Sequence, residues 1–270
     1  MTLLRTRWLG RLPYTEAWDL QRAFHEGKVR GRTADDYLLL LEHPPVFTIG
    51  RNGDASNLLV GMTGAIDNGA EVHHVDRGGD ITFHGPGQLV GYPIIGLDDP
   101  KQIVPYVRRI EEVLIRTIAD FGVRGWREEG LTGVWTDKGK VAAIGVRVSR
   151  RVTMHGFALN LQPDMSYFGM MNPCGITDRA VTSLSDLVGR KVTLEEAVDA
   201  LVPHFQAVFG HTEGETQKAA FARGQGREPS FEVDRLLAAG TFSPEARSAE
   251  PVLINCRLPG EPPRPEWMRV

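Results

Sequence analysis

Cysteine is scarce in this chain, and long hydrophobic runs are missing. The two cysteines, Cys174 and Cys256, form neither a CxxC pair nor a disulfide framework, which favours a reducing cytoplasm. The longest apolar run, Tyr37 to Leu41, is far below the roughly 18 residues that a membrane span requires. Residues Met1 to Gly10 include basic side chains but no apolar segment of a signal peptide. The sequence therefore predicts a cytoplasmic protein that is neither secreted nor inserted into a membrane.

An excess of positive charge is also missing. The 270 residues carry 31 basic and 34 acidic side chains, a formal net charge of −3. Because no basic field is available to neutralise phosphates, nucleic acid is not an expected partner. The composition, with 41% hydrophobic and 24% charged residues, is that of an ordinary globular protein. This length allows one large domain or two small ones.

Apolar periodicity predicts helices and short strands up to about residue 210. The predicted helices are Pro13 to Val29, Gln102 to Phe121, and one from a capping box at Thr193 to about Phe209. The predicted strands are Tyr37 to Glu42, Val46 to Ile49, Leu89 to Ile95, Gly133 to Trp135, Val141 to Val148 and Val152 to Leu161. The segment Gly50 to Gly69 is polar and glycine-rich, and is predicted to be a loop with little structure of its own.

The composition changes after Gly210. Seven of the 17 prolines lie in the last sixty residues, and apolar periodicity there is confined to a stretch near Phe231 to Ala239. We therefore predict a catalytic domain over residues 1–210 and a partly disordered C-terminal extension over residues 211–270.

Glycine is abundant, with 30 residues, and one run of twelve residues, 77–88, contains four of them. Its sequence is Arg77-Gly78-Gly79-Asp80-Ile81-Thr82-Phe83-His84-Gly85-Pro86-Gly87-Gln88. The run matches neither GxxxxGK[ST] nor GxGxxG, so it gives no support to a nucleotide-phosphate site. Taken alone, the run fits two interpretations equally well: an ordinary structural loop, or a loop whose backbone closely approaches a ligand. When His84 is considered by itself, a hydrogen-bonded structural role is favoured over a catalytic one.

Cys174 and Lys140 are candidates for nucleophilic chemistry. A buried, inert thiol is the ordinary interpretation of a single cysteine, and reactivity would require a lowered pKa. Lys140 could supply the neighbouring cation, although a solvated hairpin lysine like Lys138 is the simpler interpretation of this residue alone. The histidines show no metal-ligand spacing, so no metal site is predicted; they include His73, His74, His84 and His155.

Four separated motifs occur together in one order, and this order resembles that of the lipoyl(octanoyl) transferases. The resemblance covers roughly residues 5 to 210. The motifs are Arg77 to Gln88, Gly139-Lys140-Val141-Ala142-Ala143-Ile144-Gly145, His155-Gly156-Phe157-Ala158-Leu159-Asn160 and Pro173-Cys174-Gly175-Ile176.

The resemblance implies an α+β fold like that of the biotin and lipoate protein ligases, with a mixed β-sheet, helices packed on one side and a smaller second sheet. It implies that Cys174 is the acyl-accepting nucleophile and that Lys140 lowers its pKa. The substrate-binding residues it implies are Arg77, Gly78, Gly79, Asp80, Ile81, Thr82, Phe83, His84, Ala143, Ile144, Gly145, Gly156, Phe157 and Ala158.

The implied reaction moves an octanoyl group from octanoyl-acyl carrier protein to a lysine of a lipoyl domain through a cysteine thioester. The implied acceptors are the lipoyl domains of 2-oxoacid dehydrogenases and the glycine cleavage H protein. Because the donor thioester is already activated, no cofactor or ATP is required.

Three alternatives remain. An ATP-dependent lipoate or biotin ligase would carry a basic, glycine-rich adenylate motif and would need no cysteine, whereas the run at 77–88 contains a single arginine. A non-catalytic lipoyl-domain binding protein would not need both Cys174 and Lys140. A cysteine–histidine thioesterase, using His84 or His155, would release free octanoate instead of an amide.

Overall fold

A computed structural model describes residues 2–99, 102–172 and 180–217. These residues form eleven strands and five α-helices. The strands are β1 Leu4–Arg11, β2 Asp36–Glu42, β3 Val46–Ile49, β4 Glu71–His74, β5 Ile81–His84, β6 Gln88–Ile94, β7 Trp126–Glu128, β8 Leu131–Thr136, β9 Gly139–Ser149, β10 Val152–Asn160 and β11 Gly214–Gln217. The helices are α1 Tyr14–Val29, α2 Gly61–Asp67, α3 Ile103–Ala119, α4 Leu184–Val188 and α5 Leu194–Phe209.

Two sheets organise these elements. Eight strands form the main sheet in the order β11-β1-β2-β6-β10-β9-β8-β7, and three form a smaller sheet in the order β4-β3-β5. In the main sheet β1 runs parallel to β2 and β11, and the other neighbouring pairs are antiparallel. The predicted mixed sheet with a smaller second sheet is therefore confirmed.

Strand β2 shows that the main sheet is covered on both faces. Leu38 and Leu40 join the hydrophobic cluster beneath α3 and α5, whereas Leu39 and Leu41 join the cluster beneath α1. Successive side chains of a strand point to opposite faces, so an uninterrupted apolar run fits a strand buried on both. The expectation that the helices pack on one side was wrong.

Local sequence signals account for the long helices. Helix α3 buries Ile110, Leu114 and Ile118, which lie at the spacing of one helix face. The predicted capping box of α5 is confirmed: the Glu196 amide donates to the Thr193 hydroxyl at 3.2 Å, and the Thr193 amide donates to the Glu196 carboxylate at 2.8 Å.

The segment Gly50 to Gly69 is more structured than predicted. It contains a 3₁₀ turn, Ala55–Asn57, followed by α2. The Asp54 carboxylate accepts from the Ser56 amide at 2.8 Å, which caps the turn. Leu58 and Ala65 are buried in the hydrophobic cluster of the small sheet. Two buried apolar anchors thus order a segment whose composition is typical of a loop.

Strand β11 lies beyond the predicted domain boundary at residue 210. It pairs with β1, placing Thr6 opposite Thr216. An ion pair of 2.7 Å joins Arg7 on β1 to Glu215, and the Arg7 side chain is only 5% exposed. The folded sheet therefore continues past Gly210. The rest of the predicted extension, with Cys256, lies outside the described residues.

Within the described ranges, no helix is both long and apolar enough to cross a membrane.

Candidate functional site

A cavity of about 460 Å³ has walls formed by both sheets and by the glycine-rich run. This volume is within the usual range for small-molecule sites. The main sheet contributes residues of β9 and β10, and the smaller sheet contributes residues of β5. The walls therefore combine apolar strand surface with polar groups at a few positions.

Most of the predicted site residues meet at this cavity. Its lining includes Lys140 and every predicted substrate-binding residue except Phe83. Side chains alternate along β5, so Thr82 and His84 face the cavity while Phe83 packs into the small-sheet cluster, stacked on Tyr167 at 4.4 Å between ring centroids. The structure thus places the Phe83 side chain in the core and not at the cavity.

Arg77 holds the glycine-rich run against β3. Its guanidinium donates to the Thr48 carbonyl at 2.6 Å and to the Thr48 hydroxyl at 2.9 Å, and it also donates to the Gly78 carbonyl at 3.0 Å. The Gly78 amide donates to the Val146 carbonyl on β9 at 2.9 Å. These bonds connect the two sheets through the loop, so Arg77 shapes the cavity through backbone contacts.

Lys140 is held in β9 next to the point where the described chain resumes. Its amide donates to the Ala180 carbonyl at 2.9 Å, and its carbonyl accepts from the Thr182 amide at 3.0 Å. The Lys140 ammonium lies 5.3 Å from the centre of the Trp135 ring, a cation–π distance. The side chain therefore faces the cavity and Trp135, unlike a freely solvated hairpin lysine.

Cys174 lies outside the described residues, which end at Asn172 and resume at Ala180. The described chain on either side of this gap contributes Met171 and Val181 to the cavity wall. The Asn172 amide also donates to the Asn57 carbonyl at 2.8 Å, and this bond holds the last described residue before the gap.

A chain of buried side-chain amides fixes the tautomer of His84. Asn160 donates through Nδ2 to the Thr182 carbonyl at 3.1 Å, and Gln88 donates through Nε2 to Asn160 Oδ1 at 2.8 Å and to the Phe83 carbonyl at 3.2 Å. Carbonyl oxygens only accept, so both amide orientations are determined. Gln88 Oε1 must then accept from His84 Nδ1, at 2.8 Å. His84 therefore carries its proton on Nδ1.

Burial keeps His84 of the cavity and the neighbouring His43 neutral. Burial, together with the nearby His43, lowers the pKa of His84 to about 3. Burial also lowers the pKa of His43 to about 4. His43 Nδ1 donates to the Leu12 carbonyl at 2.7 Å, so its Nε2 accepts from the Tyr92 hydroxyl, also at 2.7 Å. The Tyr92 proton is thereby committed to His43.

His155, Asp76 and Arg147 form a second polar cluster, on the part of the β9–β10 wall away from His84. His155 donates through Nε2 to Asp76 at 2.7 Å, and Arg147 also donates to Asp76. His155 has a φ of +55°, and its amide donates to the Gln21 side chain at 2.8 Å. Burial lowers the pKa of His155, although Asp76 opposes this shift. The His155–Asp76 pair joins β10 to the residue that immediately precedes the glycine-rich run.

The family assignment follows from comparison with known proteins. A model of the lipoyl protein ligase A/B catalytic domain matches residues 13–206. The chain belongs to this family. The octanoyltransferase of Koribacter versatilis (strain Ellin345) is 49% identical over 207 residues, which cover 74% of this chain and 82% of that protein. The octanoyltransferase of Mycolicibacterium gilvum (strain PYR-GCK) is 51% identical over 202 residues, covering 73% and 81%.

The fold comparison agrees with this assignment. A bi-partite lipoate protein ligase from Thermoplasma acidophilum, whose structure was analysed together with its E2 lipoyl domain, superposes with a TM-score of 0.64 at 17% identity. The match covers 88% of this chain and 92% of that chain. The predicted octanoyltransferase class and the predicted lipoate-ligase-like fold are therefore confirmed.

The enzyme's cavity also contains residues to which the sequence assigned no role. They include Tyr14, Gln88, Tyr92, Trp135 and Asn160. Gln88 and Asn160 lie inside the motifs that carry the resemblance, so their position in these motifs could have identified them as site residues. Tyr14 and Tyr92 lie in an ordinary helix and an ordinary strand, so only the tertiary structure identifies them. No group of three or more potential metal ligands occurs among the described residues.

Proposed function

We propose that the enzyme transfers an octanoyl group from the thioester of an acyl carrier protein to a lysine of a lipoyl domain, with Cys174 as the transient acyl carrier. The proposal is carried by the position of Lys140 on an acyl-sized cavity whose wall also includes both described flanks of the Cys174 segment. The octanoyltransferase identity of the relatives supports it. We place the reaction in the cytoplasm, with lipoyl domains of 2-oxoacid dehydrogenases and the glycine cleavage H protein as acceptors.

The acyl chain lies along β9 in this proposal. The residues from Lys140 to Gly145 span about 16 Å at a strand rise of roughly 3.3 Å per residue. This exceeds the length of an extended octanoyl chain. Ile144 on β9 and its antiparallel partner Phe157 on β10 both line the cavity and provide apolar contact. Burying the chain there removes apolar surface from water, which stabilises the bound acyl group.

The first step forms the acyl-enzyme. Lys140 takes the proton of the Cys174 thiol, and the thiolate attacks the carbonyl carbon of the donor thioester. A carbon–sulfur bond to Cys174 forms, and the bond to the carrier's sulfur breaks. The leaving thiolate receives the proton from Lys140, so the free carrier departs as a thiol and Lys140 is restored.

The second step forms the amide. The ε-amino group of the acceptor lysine attacks the acyl carbon, and the carbon–sulfur bond to Cys174 breaks. The nitrogen loses one proton to Lys140, which returns it to the Cys174 thiolate. Each cycle therefore consumes one thioester and one amine and requires no ATP.

Incubation with octanoyl carrier protein and an apo lipoyl domain, without ATP, tests the function by intact-mass analysis of all three proteins. We expect an octanoyl adduct on the lipoyl domain. Modification only with free octanoate and ATP would indicate a ligase, and release of free octanoate would indicate a thioesterase. Binding to the lipoyl domain without any modification would indicate a non-catalytic protein.

Two cysteine variants test the intermediate. Cys174→Ala should abolish both the enzyme-bound adduct and transfer, because only a thiolate can form the thioester. Cys256→Ala is the matched control and should retain both. An octanoyl adduct on the Cys174→Ala protein would exclude Cys174 as the carrier.

A further inference from the structure

His84 presents an atom that can only accept a hydrogen bond. Since its proton is on Nδ1 and is given to Gln88, its Nε2 carries a lone pair. No hydrogen bond joins Nε2 to any other residue in the part of the chain that the structure describes, and the ring lines the cavity. A group that binds at Nε2 must therefore bring an N–H, O–H or S–H.

Few reacting groups of the substrates can donate a hydrogen bond to Nε2. The thioester carbonyl and the acyl chain offer no donor, so neither can satisfy Nε2. The acceptor lysine brings an amine whose N–H bonds are free to donate while its nitrogen lone pair attacks carbon. Of the two substrates' reacting groups, the amine of the second step is therefore the one that matches an acceptor-only nitrogen.

The hydrogen-bond network places His84 at the Lys140 end of the cavity. On the sheet, Gln88 is the direct partner of Asn160, which lies one residue beyond the pair formed by Leu159 and Ala142. Thr182 accepts from the Asn160 side chain and also donates its amide to the Lys140 carbonyl. One continuous set of bonds thus connects the His84 ring to the backbone of Lys140.

We propose that His84 Nε2 accepts an N–H hydrogen bond from the ε-amino group of the acceptor lysine and turns the nitrogen lone pair toward the acyl carbon. The inference rests on the acyl-enzyme route proposed above. The proton that the nitrogen loses goes to Lys140, and His84 stays neutral throughout. Burial supports this division of roles, because a histidine with so low a pKa takes up no second proton near neutral pH.

Separate measurement of the two half-reactions tests the role. The enzyme is loaded from octanoyl carrier protein, the acyl-enzyme is isolated, and its discharge to an apo lipoyl domain is followed by intact mass. We expect His84→Ala to load within about twofold of the unaltered enzyme and to discharge about tenfold or more slowly, the effect of one lost hydrogen bond in the transition state. His84→Gln offers an amide oxygen as an acceptor and should recover part of the discharge rate.

His25→Ala is the matched control. His25 is a buried histidine on α1 that bonds the Ser149 carbonyl at 3.0 Å and does not line the cavity. It should lower the unfolding temperature without changing the ratio of loading to discharge. Discharge by both folded His84 variants within twofold of the unaltered enzyme would overturn the role. So would equal slowing of both half-reactions, because this indicates a structural effect.

Failure of the proposed function has a different signature. If the unaltered enzyme forms no adduct on Cys174, the acyl-enzyme route fails before any His84 variant is compared. If His84→Ala does not fold, the test uses His84→Gln alone. Normal loading with slower discharge then supports the role, and an unchanged ratio of loading rate to discharge rate contradicts it.

Discussion

Gly145 on β9 lies directly against Gly78 of the glycine-rich run. A methyl group at position 145 would be 2.9 Å from the Gly78 carbonyl oxygen and 3.1 Å from Arg77 Cδ. Gly79, the next residue of the run, has a φ of +89°, which favours glycine. The two glycine-bearing motifs, more than sixty residues apart, are therefore two sides of one backbone contact at the cavity wall.

Gly145→Ala should disturb this contact. Because backbone on the opposite side must move by a few tenths of an ångström, we expect a loss of about 1–3 kcal/mol in the free energy of unfolding and a lower kcat/KM. Gly169→Ala is the matched control, since no atom lies within 4 Å of its added methyl. Urea unfolding and transfer assays measure both effects. Equal behaviour of the two variants would show that the contact has no energetic importance.

Lys140→Arg separates charge from proton transfer. Arginine keeps a positive charge but does not give up its proton near neutral pH. In the first step its charge can still stabilise the Cys174 thiolate while solvent exchanges the proton. In the second step it cannot take the proton of the acceptor amine, so we expect the variant to load octanoyl on Cys174 and to transfer it slowly to the lipoyl domain. Lys138→Arg, on the neighbouring turn, is the control and should behave like the unaltered enzyme. Wild-type rates in both half-reactions of Lys140→Arg would remove Lys140 from the mechanism.

Local patterns in the sequence predicted the elements that depend on local interactions. Helices α1, α3 and α5 and the β8–β9 hairpin are found within a few residues of the predicted limits, because helix periodicity, a capping box and a Gly-containing turn act over short distances. Strands β1, β4, β5, β7 and β11 were missed. Each is defined by its partner strand, and β1 alternates basic with apolar residues. Pairing between Leu4 and Gly214 has no local signal.

The candidate site was predictable only as a set of residues. The motif order selected Lys140 and nearly all the cavity residues of the glycine-rich run. It could not indicate that Phe83 points away from the cavity, since the run was not recognised as containing a strand. Nor could it indicate that Gln88 and Asn160 orient His84, because this depends on the antiparallel pairing of β6 with β10.

Acidification should destabilise the fold through the buried histidines. Unfolded histidine has a pKa near 6.5, whereas burial lowers the pKa of His43 to about 4 and that of His84 to about 3. Between these values the unfolded chain binds more protons, so stability falls as the pH falls. We expect each histidine to contribute a loss of about 2 kcal/mol between pH 7 and pH 5.

Urea unfolding of His43→Asn at the two pH values measures the contribution of one histidine. The asparagine amide can still donate to the Leu12 carbonyl but does not titrate. Its loss of stability between pH 7 and pH 5 should be smaller than that of the unaltered protein by about 2 kcal/mol. An identical loss in both proteins would mean that His43 is protonated equally in the folded and unfolded states.

Strand β11 should contribute to stability although it follows the predicted domain boundary. A chain that ends at Gln217 keeps the pairing with β1 and the ion pair between Glu215 and Arg7. A chain that ends at Gly210 leaves the buried Arg7 guanidinium without that carboxylate, which costs more than an exposed pair contributes. We expect the shorter chain to unfold at a temperature lower by several degrees in thermal melts. Equal melting temperatures would show that β11 adds nothing to the sheet.

The cavity should also make the rate depend on acyl length. Burial of one methylene is worth about 0.8 kcal/mol, so a chain that loses two carbons should lose about fifteenfold in kcat/KM. With a volume of about 460 Å³, the cavity is finite, and carbons added beyond its end must displace packed side chains or remain in water. We therefore expect kcat/KM to rise from butanoyl to octanoyl carrier protein and to level off or fall by dodecanoyl. A flat profile would mean that the acyl chain is not enclosed and that contacts with the carrier protein alone determine the choice of donor.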